Sequence, residues 1–173
     1  MAVRWPDLRV MWTCALCKAQ HSSLPLCFGA EAPWRALAPE AEFDDRVELT
    51  ADQCVVDEQH FFVRGHVELP IIDSTDTFAW SVWCSLSEKS FRHMTERWED
   101  PERDGDGYFG WLSSPIPVYP STIHLKTNVR VRPIGLVPLI EIQDCEHPLF
   151  IDQRDGVTLA RVYEFVHALT HEV

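Results

Sequence analysis

Three residues able to bind a soft metal ion stand within eight positions of one another, in Cys14-Ala-Leu-Cys17-Lys-Ala-Gln-His21. Two thiolates separated by two residues grip one Zn²⁺ from a tight turn, and an imidazole four positions on supplies a third bond. A tetrahedral site needs a fourth group, so the motif also predicts that the chain folds back on itself. Cys54 and Cys27 are the cysteine choices for that group, and His60 and His66 the histidine ones. Cys54 is narrowly preferred, because a ligand so distant in sequence would staple this segment to the rest of the protein. Its rival reading is a small buried hydrophobe ahead of Val55-Val56. With Cys14, Cys17, His21 and Cys54 all bound, no position stays open for water or substrate, so the expected zinc is structural. A zinc knuckle usually has Gly after its second Cys to adopt a positive φ; Lys18 stands there instead. Two other readings compete: three ordinary loop residues, or a redox dithiol, which lacks the βαβ context that would support it.

Other constellations are weaker. Glu164-x-x-His167-x-x-x-His171 aligns three potential ligands on one helical face, although the helix dipole alone favours His near a C-terminus. The stretch from Glu102 to Gly107 opens like a calcium loop, but Ser113 occupies the place of its closing bidentate Glu. No Gly-x-Ser-x-Gly elbow, phosphate-binding loop, dinucleotide turn or His-Glu-x-x-His helix occurs. Trp80, Trp83, Tyr108, Trp111 and Tyr119 suit core packing better than a pocket lining.

The elements that must position these residues come from a chain of 173 residues, 46% hydrophobic, with seven Trp and nine Phe. That is enough for one well-cored domain, 1–173, with a metal-knuckle segment at 10–34 and a sheet with helices over 52–173. The six cysteines read as metal ligands and buried thiols, because no secretory signal accompanies them. Arg4, Pro6, Asp7 and Arg9 stand where a signal peptide would be apolar, and apolar runs fall far short of the roughly 20 residues of a membrane helix. A cytoplasmic protein with no membrane partner is expected. The net charge of −12 argues against nucleic acid. Acidic residues concentrate between Glu40 and Glu58 and between Glu96 and Asp106, a solvated face or a surface for a basic protein partner.

Pro39 to Val47 predicts a short acidic helix. Cys54 to Val56 and His60 to Leu69 read as a hairpin around Asp57-Glu58-Gln59. Phe78 to Leu86 alternates Phe78, Trp80, Val82, Cys84 and Leu86 against Ala79, Ser81, Trp83 and Ser85, the period of a strand. Ser87 caps a helix running to about Trp98. Residues 99–121 read as loop; strands are expected at 123–131, 136–142 and 148–152, and an amphipathic helix at 158–171. Short turns between successive strands imply the α+β class, an antiparallel sheet with flanking helices and an N-terminal zinc-knuckle-like segment.

The motif running from Cys14 to Phe28-Gly29-Ala30-Glu31-Ala32-Pro33 resembles the opening of a bacterial family catalogued as domain of unknown function 2199. Asp52-Gln53-Cys54-Val55-Val56-Asp57, His60-Phe61-Phe62-Val63-Arg64-Gly65, Trp83-Cys84-Ser85-Leu86-Ser87 and Tyr108-Phe109-Gly110-Trp111-Leu112 fit it too. So does His147-Pro148-Leu149 with Gln153-Arg154-Asp155-Gly156. The resemblance implies that Cys14, Cys17, His21 and Cys54 are motif positions, and it marks Phe62, Arg64 and Trp111 for a shared surface. It carries no activity. The leading expectation is a non-enzymatic binding or interaction protein, of immunity or regulatory type, whose acidic face meets a basic partner. The second is a metal-dependent hydrolase with an open zinc position and Asp52 or Glu58 as base.

Overall fold

A long antiparallel ribbon organises the molecule, made of strand β6 (His60–Pro70) and strand β7 (Thr77–Leu86) paired along their whole length. The computed structural model describes residues 11–14 and 18–170; Cys17, His171 and the Arg4–Arg9 stretch lie outside them. Before the ribbon come β1 (Trp12–Thr13), β2 (Gln20–His21), β3 (Cys27–Gly29), a short helix α1 (Phe43–Arg46), β4 (Val47–Leu49) and β5 (Gln53–Val56). After it come α2 (Glu88–Glu96), β8 (Gly107–Leu112), β9 (Lys126–Arg130), β10 (Leu139–Ile142), α3 (Pro148–Asp155) and α4 (Leu159–Thr170). The expected hairpin, the acidic helix, the strand at 78–86 and the last helix all form. Ser87 caps α2 by accepting a hydrogen bond from the Ser90 amide.

The expected antiparallel sheet closes into a five-stranded barrel in the order β6-β7-β8-β9-β10-β6. An odd number of strands in meander order leaves the first and last running the same way, so the closing β10–β6 contact has to be parallel. It consists of Leu139 beside His66, with the His66 amide donating to the Pro138 carbonyl at 2.9 Å. Gly65 makes that approach possible: a Cβ there would stand 2.7 Å from the Pro138 oxygen and 2.6 Å from Ile140 Cδ1.

Each strand of the ribbon divides its outer edge between two partners. Residues 60–63 of β6 pair with β5, and β10 takes over at His66. On β7, residues 79–81 pair in parallel with β3, and Cys84-Ser85 pair with β8. The barrel interior is apolar, with Val63, Val67, Phe78, Val82, Val129 and Ile140 in one buried cluster that extends beneath α3 and α4. The outer face of the ribbon is covered too. Trp34, Ala38, Val47, Cys54, Val56, Phe62 and Trp83 form a second cluster there. Arg46 clamps this cover, donating through Nε and Nη2 to both Asp57 carboxylate oxygens at 2.7 and 2.6 Å and through Nη1 to Glu42 at 2.7 Å.

Two local expectations are corrected. Residues 148–152 begin helix α3 instead of forming a strand, because Pro148 sits in its first turn and His147 Nδ1 accepts from the Leu149 amide as an N-cap. The stretch 99–121 contains strand β8. Its glycines read as loop residues, but Gly110 lies where a Cβ would come within 2.9 Å of the Ser85 carbonyl on β7.

Candidate functional site

Period-two alternation puts Phe62, Arg64, His66 and Glu68 of β6 on the barrel's outer face, opposite Ser85, Trp83, Ser81 and Ala79 of β7. The half carrying Phe62 and Trp83 lies under the second apolar cluster. The other half floors a cleft of about 600 Å³. Arg64, His66 and Ser81 make its base, and Cys27 and Gly29 of β3 its near edge. Trp98, Arg103 and the loop 134–137 make the opposite wall, and Asp52 and Glu99 lie at its rim.

Two arginines hold that wall. Arg103, only 2% exposed, donates to the carbonyls of Trp98 (2.6 Å), Arg132 (2.9 Å), Pro133 (3.1 Å) and Leu136 (2.9 Å), and its guanidinium lies over the Trp98 ring. Arg132 donates to the Val137 carbonyl at 2.7 Å and to Glu68 at 2.6 Å. On the floor, Arg64 donates through Nε and Nη2 to one oxygen of Asp52, at 3.1 and 2.7 Å, which leaves Nη1 unused among the described residues. Ser81 is 6% exposed, and among the described residues its Oγ has no hydrogen-bond partner.

Two titratable groups of the cleft, His66 and Cys27, are held away from neutral pH. Burial pushes the His66 pKa down to about 4, aided by the positive charges of Arg132 and Arg64. Arg132 Nη2 stands 3.5 Å from His66 Nδ1; arginine can only donate, so Nδ1 accepts and the ring proton sits on Nε2. Burial likewise raises the Cys27 thiol to about 11, against the lowering influence of Arg64 and the Ser81 backbone. A catalytic acid or base works best with a pKa near the operating pH. Neither group meets that condition.

His66 has a consequence for stability. With a folded pKa of about 4 against 6.5 unfolded, the unfolded chain takes up the proton first as pH falls. The contribution of His66 is fully present above pH 6.5 and disappears between there and pH 4. The loss amounts to as much as about 3 kcal/mol. Urea denaturation of the wild type and His66→Gln across this window should show a steeper fall in the wild type.

Of the residues expected to bind metal, Cys14 and Cys54 lie in different apolar clusters. Cys14 is buried in the barrel-side cluster, His21 stacks on Trp12 at 4.6 Å, and Cys17 lies outside the described residues. Cys54 belongs to the second cluster, and burial raises its thiol to about 11. Of the alternatives, Cys27 and His66 line the cleft, and His60 is exposed at the start of β6. No group of three or more His, Cys, Asp or Glu among the described residues is arranged to hold a metal ion. Lys18 does adopt the positive φ of a knuckle, +59°. Of the surface set, Arg64 reaches the cleft, Phe62 is buried and Trp111 is exposed on β8. Ser81 and Arg103 carried no signal as site residues. The first was visible only as a small polar residue on the non-core face of β7, the second only as a cation within an acidic run.

The molecule is thus a mixed α+β protein built on a closed five-stranded barrel with a polar cleft on its outer face. The chain belongs to the DUF2199 family, described as an uncharacterized protein conserved in bacteria, whose profile matches residues 13–157. No curated protein and no solved structure matches it. No helix among the described residues is long and apolar enough to cross a membrane.

Proposed function

We propose that this is a binding protein whose outer cleft takes a small organic anion, a carboxylate or phosphate ester with an apolar body. The observation that carries this reading is Ser81 Oγ, a buried hydroxyl at the cleft floor with no partner among the described residues. Such a group costs about 1–3 kcal/mol until an acceptor reaches it. Arg64 Nη1 supplies a second donor, and the fields of Arg64 and Arg132 that depress His66 favour negative charge here. Trp98, Ile134 and Leu136 offer an apolar wall for the rest of the ligand. The positions of the His66 and Cys27 pKa values support binding over acid–base or thiolate chemistry.

Thermal denaturation with benzoate, phenyl phosphate and inorganic phosphate tests the proposal. A ligand present at about ten times its Kd should stabilise the wild type by about 1.4 kcal/mol. The gain should vanish in Ser81→Val and Arg64→Met. Equal stabilisation of wild type and both variants would remove the cleft from consideration.

Two further expectations belong to the same reading. The acidic groove lined by Asp44, Asp45, Glu48, Asp57 and Glu58 suits a basic protein partner. A structural zinc ion sits on the Cys14–Cys17 pair, a reading supported by the antiparallel pairing of the flanking strands β1 and β2 and by the φ of Lys18. The hydrolase alternative is less well supported, since the Asp52 carboxylate is engaged by Arg64.

A further inference from the structure

We infer that the partner of the Cys14–Cys17 pair is helix α4: His167 binds the same zinc ion as Cys14, in the place that the sequence offered to Cys54. The inference rests on the zinc reading of that pair and names how its site is completed. Cys14 Sγ and His167 Nδ1 stand 3.5 Å apart, although 153 positions separate them in sequence. Two ligands on one tetrahedral zinc, with Zn–S about 2.3 Å and Zn–N about 2.0 Å, are separated by about 3.5 Å. The two side chains are therefore already spaced as neighbouring ligands.

The packing around them fixes this approach. Trp12 on β1 is buried, with Tyr163 and His167 of α4 at ring-centroid distances of 5.9 and 5.4 Å, and its Nε1 donates to the Ser23 carbonyl at 2.9 Å. Val162, Phe165 and Val166 anchor α4 in the same buried cluster as Cys14. Cys54 lies in the other cluster, under the cover of the outer face. His21 stacks on Trp12, yet Cys14, His21 and His167 do not form a metal-holding group. That leaves two positions, and spacing names them. In the sequence, Cys14-x-x-Cys17 with His167-x-x-x-His171 has the ligand spacing of a Cys₂His₂ zinc site. Cys17 and His171 lie outside the described residues and enter by that sequence spacing alone. The family match ends at residue 157, so α4 lies beyond it.

The test uses the full chain, prepared without a metal-affinity tag, with zinc content measured by elemental analysis and Co²⁺ as the spectroscopic probe. The wild type should bind one Zn²⁺, and its Co²⁺ form should show a tetrahedral d–d band with thiolate charge transfer. Because even outer-sphere partners of a metal site are worth 10–100-fold in affinity, His167→Ala should weaken Zn²⁺ binding by at least about 100-fold. Cys54→Ser and His21→Ala should leave binding unchanged. His167→Cys keeps a ligand in place, so it should retain the metal and intensify the charge-transfer band, a gain that a purely structural role could not produce. Wild-type zinc binding lost in Cys54→Ser and kept in His167→Ala would overturn the inference while sparing the zinc reading. A wild type that binds neither Zn²⁺ nor Co²⁺ would overturn both.

Discussion

Replacing Arg103 with methionine is expected to destabilise the protein by about 3–5 kcal/mol and to release the loop that walls the cleft. The guanidinium is buried and serves four backbone carbonyls, those of Trp98, Arg132, Pro133 and Leu136. Trp98 lies in the turn after α2 and the other three in the loop between β9 and β10, all outside the strands, so methionine would fill the volume but leave these carbonyls without their charged donor. Lysine would keep the charge but lacks the planar fork that reaches several acceptors at once, and should recover at most half the loss. Urea denaturation gives the stability change. Hydrogen exchange should show residues 132–137 losing protection before the barrel strands do. A loss below about 1 kcal/mol would mean that the loop is held by other contacts.

Gly65→Val should be the most damaging single substitution in the barrel. The new Cβ would collide with the Pro138 carbonyl and with Ile140, at the one register pair where β10 meets β6. A flexible side chain could yield, but a backbone oxygen bonded to the His66 amide can do so only by giving up the closing contact. Overpacking of a tight core costs about 1–3 kcal/mol, and here the lost pairing adds to it. Gly29→Ala is the matched control, since its Cβ would lie at an ordinary 3.8 Å from Ser81 Cβ. It should fall within about 0.5 kcal/mol of wild type in the same denaturation experiment. Equal effects at the two positions would show that the barrel closes without the close approach at Gly65.

The parts of this fold that were legible in the sequence are those governed by local chemistry. Alternation along 78–86 located β7, the polar turn 57–59 located the β5–β6 hairpin, and Ser87 marked the start of α2. Pro148-Leu149-Phe150-Ile151 misled because its composition suits a strand, while the deciding feature was the ring nitrogen of His147 accepting at the helix start. Barrel closure left no local trace, since a single glycine and one parallel register pair carry it. The cleft was legible in pieces. Cys27, Asp52, Arg64 and His66 each stood out for reasons of metal chemistry or family resemblance, but only the register of β7 against β3 on one side and β6 on the other puts Cys27, Arg64 and His66 beside Ser81. The pairing of Cys14 with His167 follows from how α4 packs on Trp12, which no local pattern encodes.

The claim that the outer face of the ribbon is a binding site is tested most directly by following backbone amide resonances during titration with phenyl phosphate. The account predicts saturable shifts confined to residues 27–29, 64–66, 79–83 and 134–137, and their disappearance in Ser81→Val. Shifts centred instead on Asp44, Asp45 and Glu48, or none that saturate, would contradict it.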